Sequence, residues 1–350
     1  MITRDRLQAI LAAFPKLTIG LVGDLFLDRY LEIDPELHEL SVETGLEAYQ
    51  VTRVRNSPGA LGTVINNLAA LRVGRLVPVS VLGDDGQAYD LRAELARLPV
   101  ELAHLLTDPG RKTPTYTKPL KRDRAGVWQE LNRLDLRNRE PLAAATEDRL
   151  LDQINEVFAA TDGLIVLDQV NEEGWGVVAP RVREHLGRLA RSRPEKLMLV
   201  DSRAHLSRFD WGTLKPNRSE CLKAAGMAAC DDKSTDIRKA ALHMAARTGR
   251  TVFCTQGERG ILVARPGGET TEVPAIPVIG PIDTVGAGDS ATAGITASLL
   301  CGASDVEAAT IGNLVASITV QQIGTTGTAS PEQVLARWTE TADQYGCRLS

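Results

Sequence analysis

The sequence predicts an α/β fold built on a mainly parallel sheet that helices cover on both faces. Short apolar runs typical of buried strands recur along the chain, and segments with helical periodicity lie between many of them. The predicted strands are Leu17–Val22, Leu76–Leu82, Leu164–Leu167, Leu197–Val200, Val252–Thr255 and Ile261–Ala264. Strands that alternate with helices are joined by crossovers, so neighbouring strands run parallel and both sheet faces become buried.

The helices are predicted from apolar residues that recur on one helical face. Val64, Leu68 and Leu71 repeat in this way, and residues 146–160 open with a threonine and acidic residues, which favour a helix start. Further helices are predicted near residues 177–191, 234–248, 287–301, 305–321 and 331–344.

Two regions, residues 27–55 and 113–135, depart from this alternation. They place Thr, Tyr and Val among polar residues, a pattern typical of strands with one face in water. We expect a small β-layer there, which either covers a ligand cleft as a lid or extends a sheet edge. Residues 1–350 are treated as a single domain that contains both segments.

Composition and charge exclude several classes of protein. The net charge of -5 argues against a nucleic-acid-binding protein, and no apolar run is long enough for a membrane span. The cysteines form no C-x-x-C pair, and neither H-E-x-x-H nor a P-loop motif occurs. We expect a cytoplasmic protein with free thiols at Cys221, Cys230, Cys254, Cys301 and Cys347.

Residues 281–294 carry most of the chemical information. They read Pro-Ile-Asp-Thr-Val-Gly-Ala-Gly-Asp-Ser-Ala-Thr-Ala-Gly, so two glycines and an aspartate precede a run of small residues. The first N–H groups of a helix have no partner within it and, with the helix dipole, attract an anion. Asp289 would repel that anion, but it suits a base that deprotonates an attacking nucleophile. The alternative is a glycine-rich turn with an acidic first helical turn.

This segment resembles the signature of the ribokinase-like sugar kinases, the PfkB family, and six other motifs of that family occur earlier in the chain in the right order. They are Val22–Tyr30, Ser57–Ala69, Val81–Gly86, Val200–Arg203, Lys215–Glu220 and Thr255–Gly260. The heptose 7-phosphate kinase branch is the most similar. The resemblance implies a carbohydrate kinase with a ribokinase-like three-layer α/β/α fold and a small β-sheet lid.

The resemblance also implies roles at the phosphoryl group. Asp289 would be the general base for a sugar hydroxyl, and Gly286, Ala287 and Gly288 would donate backbone hydrogen bonds to the transferring group. ATP would be the phosphoryl donor, together with Mg²⁺.

Nucleotide and metal positions are implied in the same way. Asn217 and Glu220 would lie near the triphosphate, with Glu220 holding Mg²⁺ through water, while Thr255, Gly257 and Asn313 would contact the nucleotide. The N-x-x-E spacing is also that of a helix capping box, and Thr255 could mark an ordinary strand end.

The implied sugar-binding residues are Asp28, Gly59 and Thr63, and Asp283 matches a monovalent-cation position, which suggests K⁺. Either aspartate could instead be an exposed acid. The family pattern has a second glycine where this chain has Ala60 and an asparagine where it has Thr63. A threonine hydroxyl is shorter than an amide and offers fewer hydrogen bonds, so the identity of the sugar does not follow from the family.

Cations cluster in or near the lid segments, which favours a sugar that already carries a phosphate over a neutral one, although a solvated basic surface is the alternative. They are Arg29, Arg53, Arg55, Arg111, Lys112, Lys118, Lys121, Arg122, Arg124 and Arg133.

Two functions stay open: an ATP-dependent kinase of a sugar or sugar phosphate, or a catalytically altered relative that binds a sugar or nucleoside as a sensor or assembly partner. The family resemblance is consistent with a homodimer formed through the lid.

Overall fold

Helices and strands alternate along most of the chain, as predicted. The computed structural model describes residues 2–123, 126–227 and 234–345. Its α-helices are α1 Arg4–Ala13, α2 Leu61–Ala70, α3 Gly86–Leu95, α4 Ala144–Ala160, α5 Pro180–Ser192, α6 Arg218–Ala224, α7 Ser234–Thr248, α8 Ala287–Leu300, α9 Asp305–Thr319 and α10 Pro331–Tyr345.

The strands divide into a main sheet, a smaller sheet and a short hairpin. They are β1 Thr18–Gly23, β2 Leu25–Ile33, β3 Glu39–Leu40, β4 Glu47–Ala48, β5 Val51–Ala60, β6 Arg75–Leu82, β7 Leu105–Thr107, β8 Thr115–Arg122, β9 Trp128–Glu130, β10 Leu134–Leu136, β11 Gly163–Asp168, β12 Leu197–Ser202, β13 Thr213–Leu214, β14 Val252–Thr255, β15 Ile261–Ala264 and β16 Thr270–Val273. Each of the six predicted strands is confirmed.

The main sheet has the strand order β16-β15-β14-β13-β12-β11-β1-β6-β7. Strands from β14 to β7 run parallel, while β15 and β16 add antiparallel pairings at one edge. The carboxyl ends of the parallel strands therefore share one edge of the sheet, where ligands bind in open α/β folds.

Alternate side chains of the central strands enter opposite helical layers. In β11, Leu164 and Val166 belong to the core under α4–α7, whereas Ile165 and Leu167 belong to the core under α1–α3 and α8–α10. Burial of each such side chain contributes roughly 1.5–3 kcal/mol. This pattern confirms the three-layer α/β/α arrangement.

The smaller sheet is built from the two regions that interrupt the alternation. Its strand order is β10-β8-β2-β5, with β9 pairing to β8, and β3 and β4 form a separate hairpin. Strand β2 follows directly on β1, so this sheet projects from the carboxyl-end edge of the main sheet. The prediction of a small β-layer from residues 27–55 and 113–135 is confirmed, with ends extended to Leu25, Ala60 and Leu136.

Helices α1 and α3 were not predicted. Thr3 caps α1, and Leu7, Ile10 and Leu11 bury its apolar face, although charged residues at its start hide that face in the sequence. The helix predicted near residues 177–191 begins only at Pro180, a residue that favours the first helical turn. No helix in the described ranges combines the length and apolarity needed to cross a membrane.

Candidate active site

Helix α8 begins inside the glycine-rich segment. Gly286 precedes it with a φ of 79°, a left-handed conformation that glycine adopts easily, and a Cβ there would lie 3.3 Å from Cγ2 of Thr63. Ala287 and Gly288 open the helix and Asp289 follows in its first turn. No described side chain caps this helix start. The Ala287 N–H donates to the Thr284 carbonyl at 3.2 Å, whereas the Gly288 and Asp289 N–H groups have no partner among the described residues and remain available to an anion.

A cleft of about 530 Å³ leads to this helix start. Its lining contains the predicted nucleotide contacts Thr255, Gly257 and Asn313. It also contains Ala287 and Gly288 of the predicted anion site. The structure therefore brings the predicted nucleotide-contacting residues and the predicted anion site into one cleft, of a size typical for a small-molecule ligand.

Hydrogen bonds fix the walls of this cleft. Thr255, at the end of β14, donates its N–H to the carbonyl of Pro216 at 2.9 Å. The Asn313 amide donates to the carbonyls of Val273 and Pro274 at 3.1 and 3.0 Å. Asn313 thus ties the chain after β16 to α9, and this support was not predicted from the sequence.

Asn217 and Glu220 form the capping box of α6. Asn217 Oδ1 accepts the Glu220 N–H at 2.9 Å, and Glu220 Oε2 accepts the Asn217 N–H at 2.8 Å. The capping interpretation is therefore confirmed, and Glu220 Oε1 makes no hydrogen bond within the described part of the chain. Burial and the nearby Asp201 raise the Glu220 pKa. Within that same part, no group of three or more His, Cys, Asp or Glu residues is placed to hold a metal.

The carboxylate of Asp289 lies in a strongly charged environment. Burial, reinforced by Asp201, raises its pKa to about 7, although Lys215 and Arg203 act in the opposite direction. Asp28, on the smaller sheet, is close enough to raise that pKa further. Asp289 therefore lies between the cleft and the smaller sheet, with a pKa suited to proton transfer near neutral pH.

A buried ion pair between Lys215 and Asp201 lies next to the start of α8 and was not predicted from the sequence. Lys215 Nζ lies 2.8 Å from Asp201 Oδ2, and both side chains are less than a tenth exposed. Thr292 of α8 donates to the same Asp201 oxygen at 3.1 Å. A Cβ on Gly288 would lie 3.7 Å from Lys215 Nζ, so this cation lies directly below the start of α8.

The predicted sugar-binding residues lie across from Asp289. Asp28 is 8% exposed, and its Oδ1 lies 3.5 Å from Lys118 Nζ, which also contacts the Tyr30 hydroxyl at 3.2 Å. Burial raises the Asp28 pKa while Lys118 lowers it, with a net increase. A Cβ on Gly59 would lie 2.8 Å from Asp28 Oδ2, so a side chain at position 59 would displace the Asp28 carboxylate. Thr63 is 3% exposed and packs its methyl group toward Gly286.

Both carboxylate oxygens of Asp283 hold the loop before α8. They accept the N–H groups of Val285 at 3.0 Å and Gly324 at 3.1 Å. Asp24 is likewise bound by backbone donors, namely the N–H groups of Gln169, Val170 and Val177. Asp24 therefore has a structural role.

Many of the predicted lid cations are bound to partners on or beside the smaller sheet. The ion pairs are Arg29–Asp90, Arg53–Glu32, Arg55–Glu32, Lys118–Asp28, Lys121–Glu47 and Arg133–Asp135. Arg111 donates to two backbone carbonyls, and the Arg122 guanidinium stacks on Trp128. Arg124 lies outside the described residues, as do Cys230 and Cys347. Simple clustering of cations in the lid therefore does not identify a phosphate site.

Comparisons with known proteins identify the family to which a chain of this fold belongs. The model of the pfkB family of carbohydrate kinases matches residues 30–333. The chain belongs to that family.

Curated relatives include the bifunctional protein HldE of Trichlorobacter lovleyi, 28% identical over 335 residues, and that of Caulobacter sp., 29% identical over 340. These alignments cover 95% and 97% of this chain but only 65% and 66% of the relatives, so the chain spans just under two thirds of their length.

Solved structures show the same fold. Ribokinase of Arabidopsis thaliana, complexed with ribose and ATP, superposes with a TM-score of 0.68 and 18% identity, covering 92% of this chain and 98% of its own. Phosphofructokinase-2 of Escherichia coli, in complex with fructose-6-phosphate, gives the same score and identity, with 93% and 99% covered.

Proposed function

We propose that this protein transfers the γ-phosphoryl group of ATP to a hydroxyl of a sugar or sugar phosphate. One observation carries this proposal: Asp289 lies in the first turn of α8, between a nucleotide-sized cleft and Asp28 of the smaller sheet. A base in that position has the phosphoryl donor on one side and the acceptor hydroxyl on the other.

In the proposed reaction, Asp289 accepts the proton of the acceptor hydroxyl while the hydroxyl oxygen attacks the γ-phosphorus. The bond from the γ-phosphorus to the bridging oxygen breaks, and that oxygen leaves on ADP. In the Gly286–Gly288 segment the Gly288 N–H stabilises the charge on the transferring group, since this reaction depends mainly on alignment and electrostatics. The Ala287 N–H joins it by exchanging the Thr284 carbonyl for a phosphoryl oxygen. Asp28 accepts hydrogen bonds from sugar hydroxyls, and the backbone at Gly59 contacts the sugar. The Thr63 hydroxyl forms a further hydrogen bond to the sugar.

Two cations accompany this proposal. Mg²⁺ prefers oxygen ligands and retains waters, so the unbonded Glu220 Oε1 suits contact through a water molecule, and the bound ion would neutralise phosphate charge. Asp283 is the candidate for a K⁺ site, and phosphofructokinase-2 of Escherichia coli has been solved in complex with potassium.

A heptose phosphate is the first acceptor to test, because the sequence most resembles heptose 7-phosphate kinases. The test measures ADP release with ATP and Mg²⁺ over a panel of neutral sugars and sugar monophosphates, with Asp289→Asn as the inactive control. Acceptor-dependent ADP release is expected. If the protein binds ATP but no acceptor is phosphorylated, the proposal fails in favour of a binding relative without catalysis.

A further inference from the structure

The face of the smaller sheet that carries Asp28 also contains a buried lysine, to which the proposed reaction gives no role. Lys118 lies on β8, and its register partner on the parallel strand β2 is Tyr30. Asp28 precedes Tyr30 by two residues, so both side chains lie on the same face of β2. Lys118 is 9% exposed, and a lysine charge is rarely buried to this extent without a partner.

The ammonium group of Lys118 has two close partners. Its Nζ lies 3.5 Å from Oδ1 of Asp28 and donates to the Tyr30 hydroxyl at 3.2 Å. The Arg55 guanidinium lies 4.7 Å from the centre of the Tyr30 ring and binds Glu32 at 2.8 Å. Tyr30 is therefore held between two strands, and it fixes the lysine beside Asp28.

The two carboxylate oxygens of Asp28 have different surroundings. Oδ1 faces Lys118, whereas Oδ2 lies beside the backbone of Gly59, where a Cβ would be 2.8 Å away. Among the described residues, Oδ2 has no hydrogen-bond or ion-pair partner. Lys118 thus engages one oxygen and leaves the other free to accept a hydrogen bond from a ligand.

The neighbouring strands and α3 supply no other cation that pairs with Asp28. Its register partners are Ser57 on β5 and Tyr116 on β8, neither of which is positively charged. Arg29, the next residue on β2, forms its ion pair with Asp90 of α3.

The remaining charges near Asp28 come from β10 and α8. Arg133 binds both carboxylate oxygens of Asp135 at 2.6 and 2.9 Å, so these two charges largely cancel, and Asp289 is a further negative charge. Burial raises the pKa of Asp28, and Lys118 is the strongest opposing influence. Without Lys118, burial would therefore favour the protonated carboxyl.

We propose that Lys118 is a positioning residue for the acceptor: its ammonium group holds Asp28 ionised and oriented, with Oδ2 directed to an acceptor hydroxyl. This inference rests on the proposed kinase function and adds a residue that acts through Asp28 without touching the acceptor. An ionised carboxylate accepts charge-assisted hydrogen bonds from hydroxyl groups, and protonation weakens them.

The kinetic test compares Lys118→Met with wild type over a range of pH. Methionine keeps most of the apolar stem but removes the charge. The acceptor KM of the variant, relative to wild type, should be about 10-fold higher at pH of about 6.5, and this ratio should decrease towards pH of about 9 as Asp28 ionises. The kcat profile should keep its wild-type shape.

Two further variants show whether the effect is specific. Lys118→Arg should restore most of the acceptor affinity. Lys121→Met removes a lysine from the same strand that pairs with Glu47, and it should leave both kcat and the acceptor KM unchanged. An unchanged acceptor KM in Lys118→Met, or a KM ratio that is constant over pH, would overturn the inference.

A double-variant cycle separates positioning from direct contact with the acceptor. If Lys118 acts through Asp28, Lys118→Met should cause no further increase in the acceptor KM when Asp28→Asn is already present. Equal effects of Lys118→Met in both backgrounds would mean that the lysine contacts the acceptor itself, and the proposal would be wrong.

Thermal unfolding without substrate separates this inference from the kinase proposal. A carboxyl whose pKa is raised in the folded state loses stability as pH increases, so Lys118→Met should lower Tm more at pH of about 8 than at pH of about 5. Adding Asp28→Asn should recover this pH-dependent part. A loss of Tm that is independent of pH would refute the role of Lys118. If no acceptor is phosphorylated, the kinase proposal fails, and the unfolding data alone decide whether Lys118 holds Asp28 ionised.

Discussion

At the scale of single residues, Asp289 shows how one carboxylate can be costly for the fold and useful for catalysis. Burial and Asp201 favour its protonated form, while Lys215 and Arg203 keep the charged form accessible. The balance brings its pKa to about 7, where a base can both accept and release a proton in each cycle.

The pH dependence of the rate should report this carboxylate. Because only ionised Asp289 can accept the proton, kcat/KM should increase with pH and level off above pH of about 7, with roughly a tenfold loss for each unit below it. Initial rates between about pH 5 and pH 9 measure this profile. A rate that stays constant down to pH 5 would contradict the assigned role.

Asp289→Asn should reduce kcat by about 10²–10⁴ while ATP binding persists. The same change should stabilise the fold at alkaline pH. The pKa of Asp289 is higher in the folded state than its ordinary value of 3.8, so wild type loses stability as pH increases from about 4 to about 7. The asparagine removes that loss.

Thermal unfolding measures this second effect. The Tm difference between Asp289→Asn and wild type should be largest above pH of about 7 and vanish towards pH of about 4. An asparagine variant that retains wild-type turnover, or that is less stable than wild type at alkaline pH, would refute the assignment.

At the scale of elements, the N-termini of α6 and α9 allow a matched comparison, because both helices begin with the same kind of cap. Asn217 and Glu220 cap α6 beside the cleft, and Ser304 and Glu307 form the same capping box at α9. A capping box is worth about 1 kcal/mol wherever it occurs. Any additional effect at Glu220 therefore reports its position near the nucleotide.

Glu220→Gln should shift the Mg²⁺ dependence of activity to higher concentration and leave the acceptor KM nearly unchanged. Glutamine keeps the capping geometry but removes the charge that attracts the cation. The measurement is a Mg²⁺ titration of activity, with Glu307→Gln as the control that changes stability alone. Identical Mg²⁺ curves for the two variants, with a raised acceptor KM at Glu220→Gln, would rule out the metal assignment.

The elements could be predicted where local chemistry determines them. The apolar runs of β1, β6, β11 and β12 are buried on both faces, so their composition alone identifies them as strands. Helix α8 follows from its small residues and glycine-rich start. Strand β13 has two residues, Thr213 and Leu214, and its existence depends on pairing with neighbours rather than on a local pattern.

The site could be predicted only in part for the same reason. Motif spacing identified Asp289, but the partners of Lys215 depend on the adjacency of β12 and β13, which no local pattern determines. Conversely, counting lid cations overestimated the free positive charge, because carboxylates such as Glu32 neutralise several of them.

At the scale of the whole molecule, the smaller sheet combines a binding face with a free edge. Asp28 lies on it beside the site, while β5 is an edge strand whose outer side has no described partner. Large apolar side chains are exposed on β5 and the neighbouring hairpin, among them Leu40, Leu46, Val51 and Val54. An unpaired edge strand with exposed apolar residues favours association with another surface.

We expect a second copy of the chain to cover this surface and form a homodimer. Sedimentation velocity should give the mass of two chains for wild type and of one chain for Val54→Glu, because a buried charge opposes association. Ile323→Glu, at an equally exposed apolar residue outside the smaller sheet, is the control and should stay dimeric. Since Asp28 shares the sheet with Val54, the monomer should show a larger increase in KM for the acceptor than for ATP. A monomeric wild type, or loss of the dimer in both variants, would exclude the lid as the dimer interface.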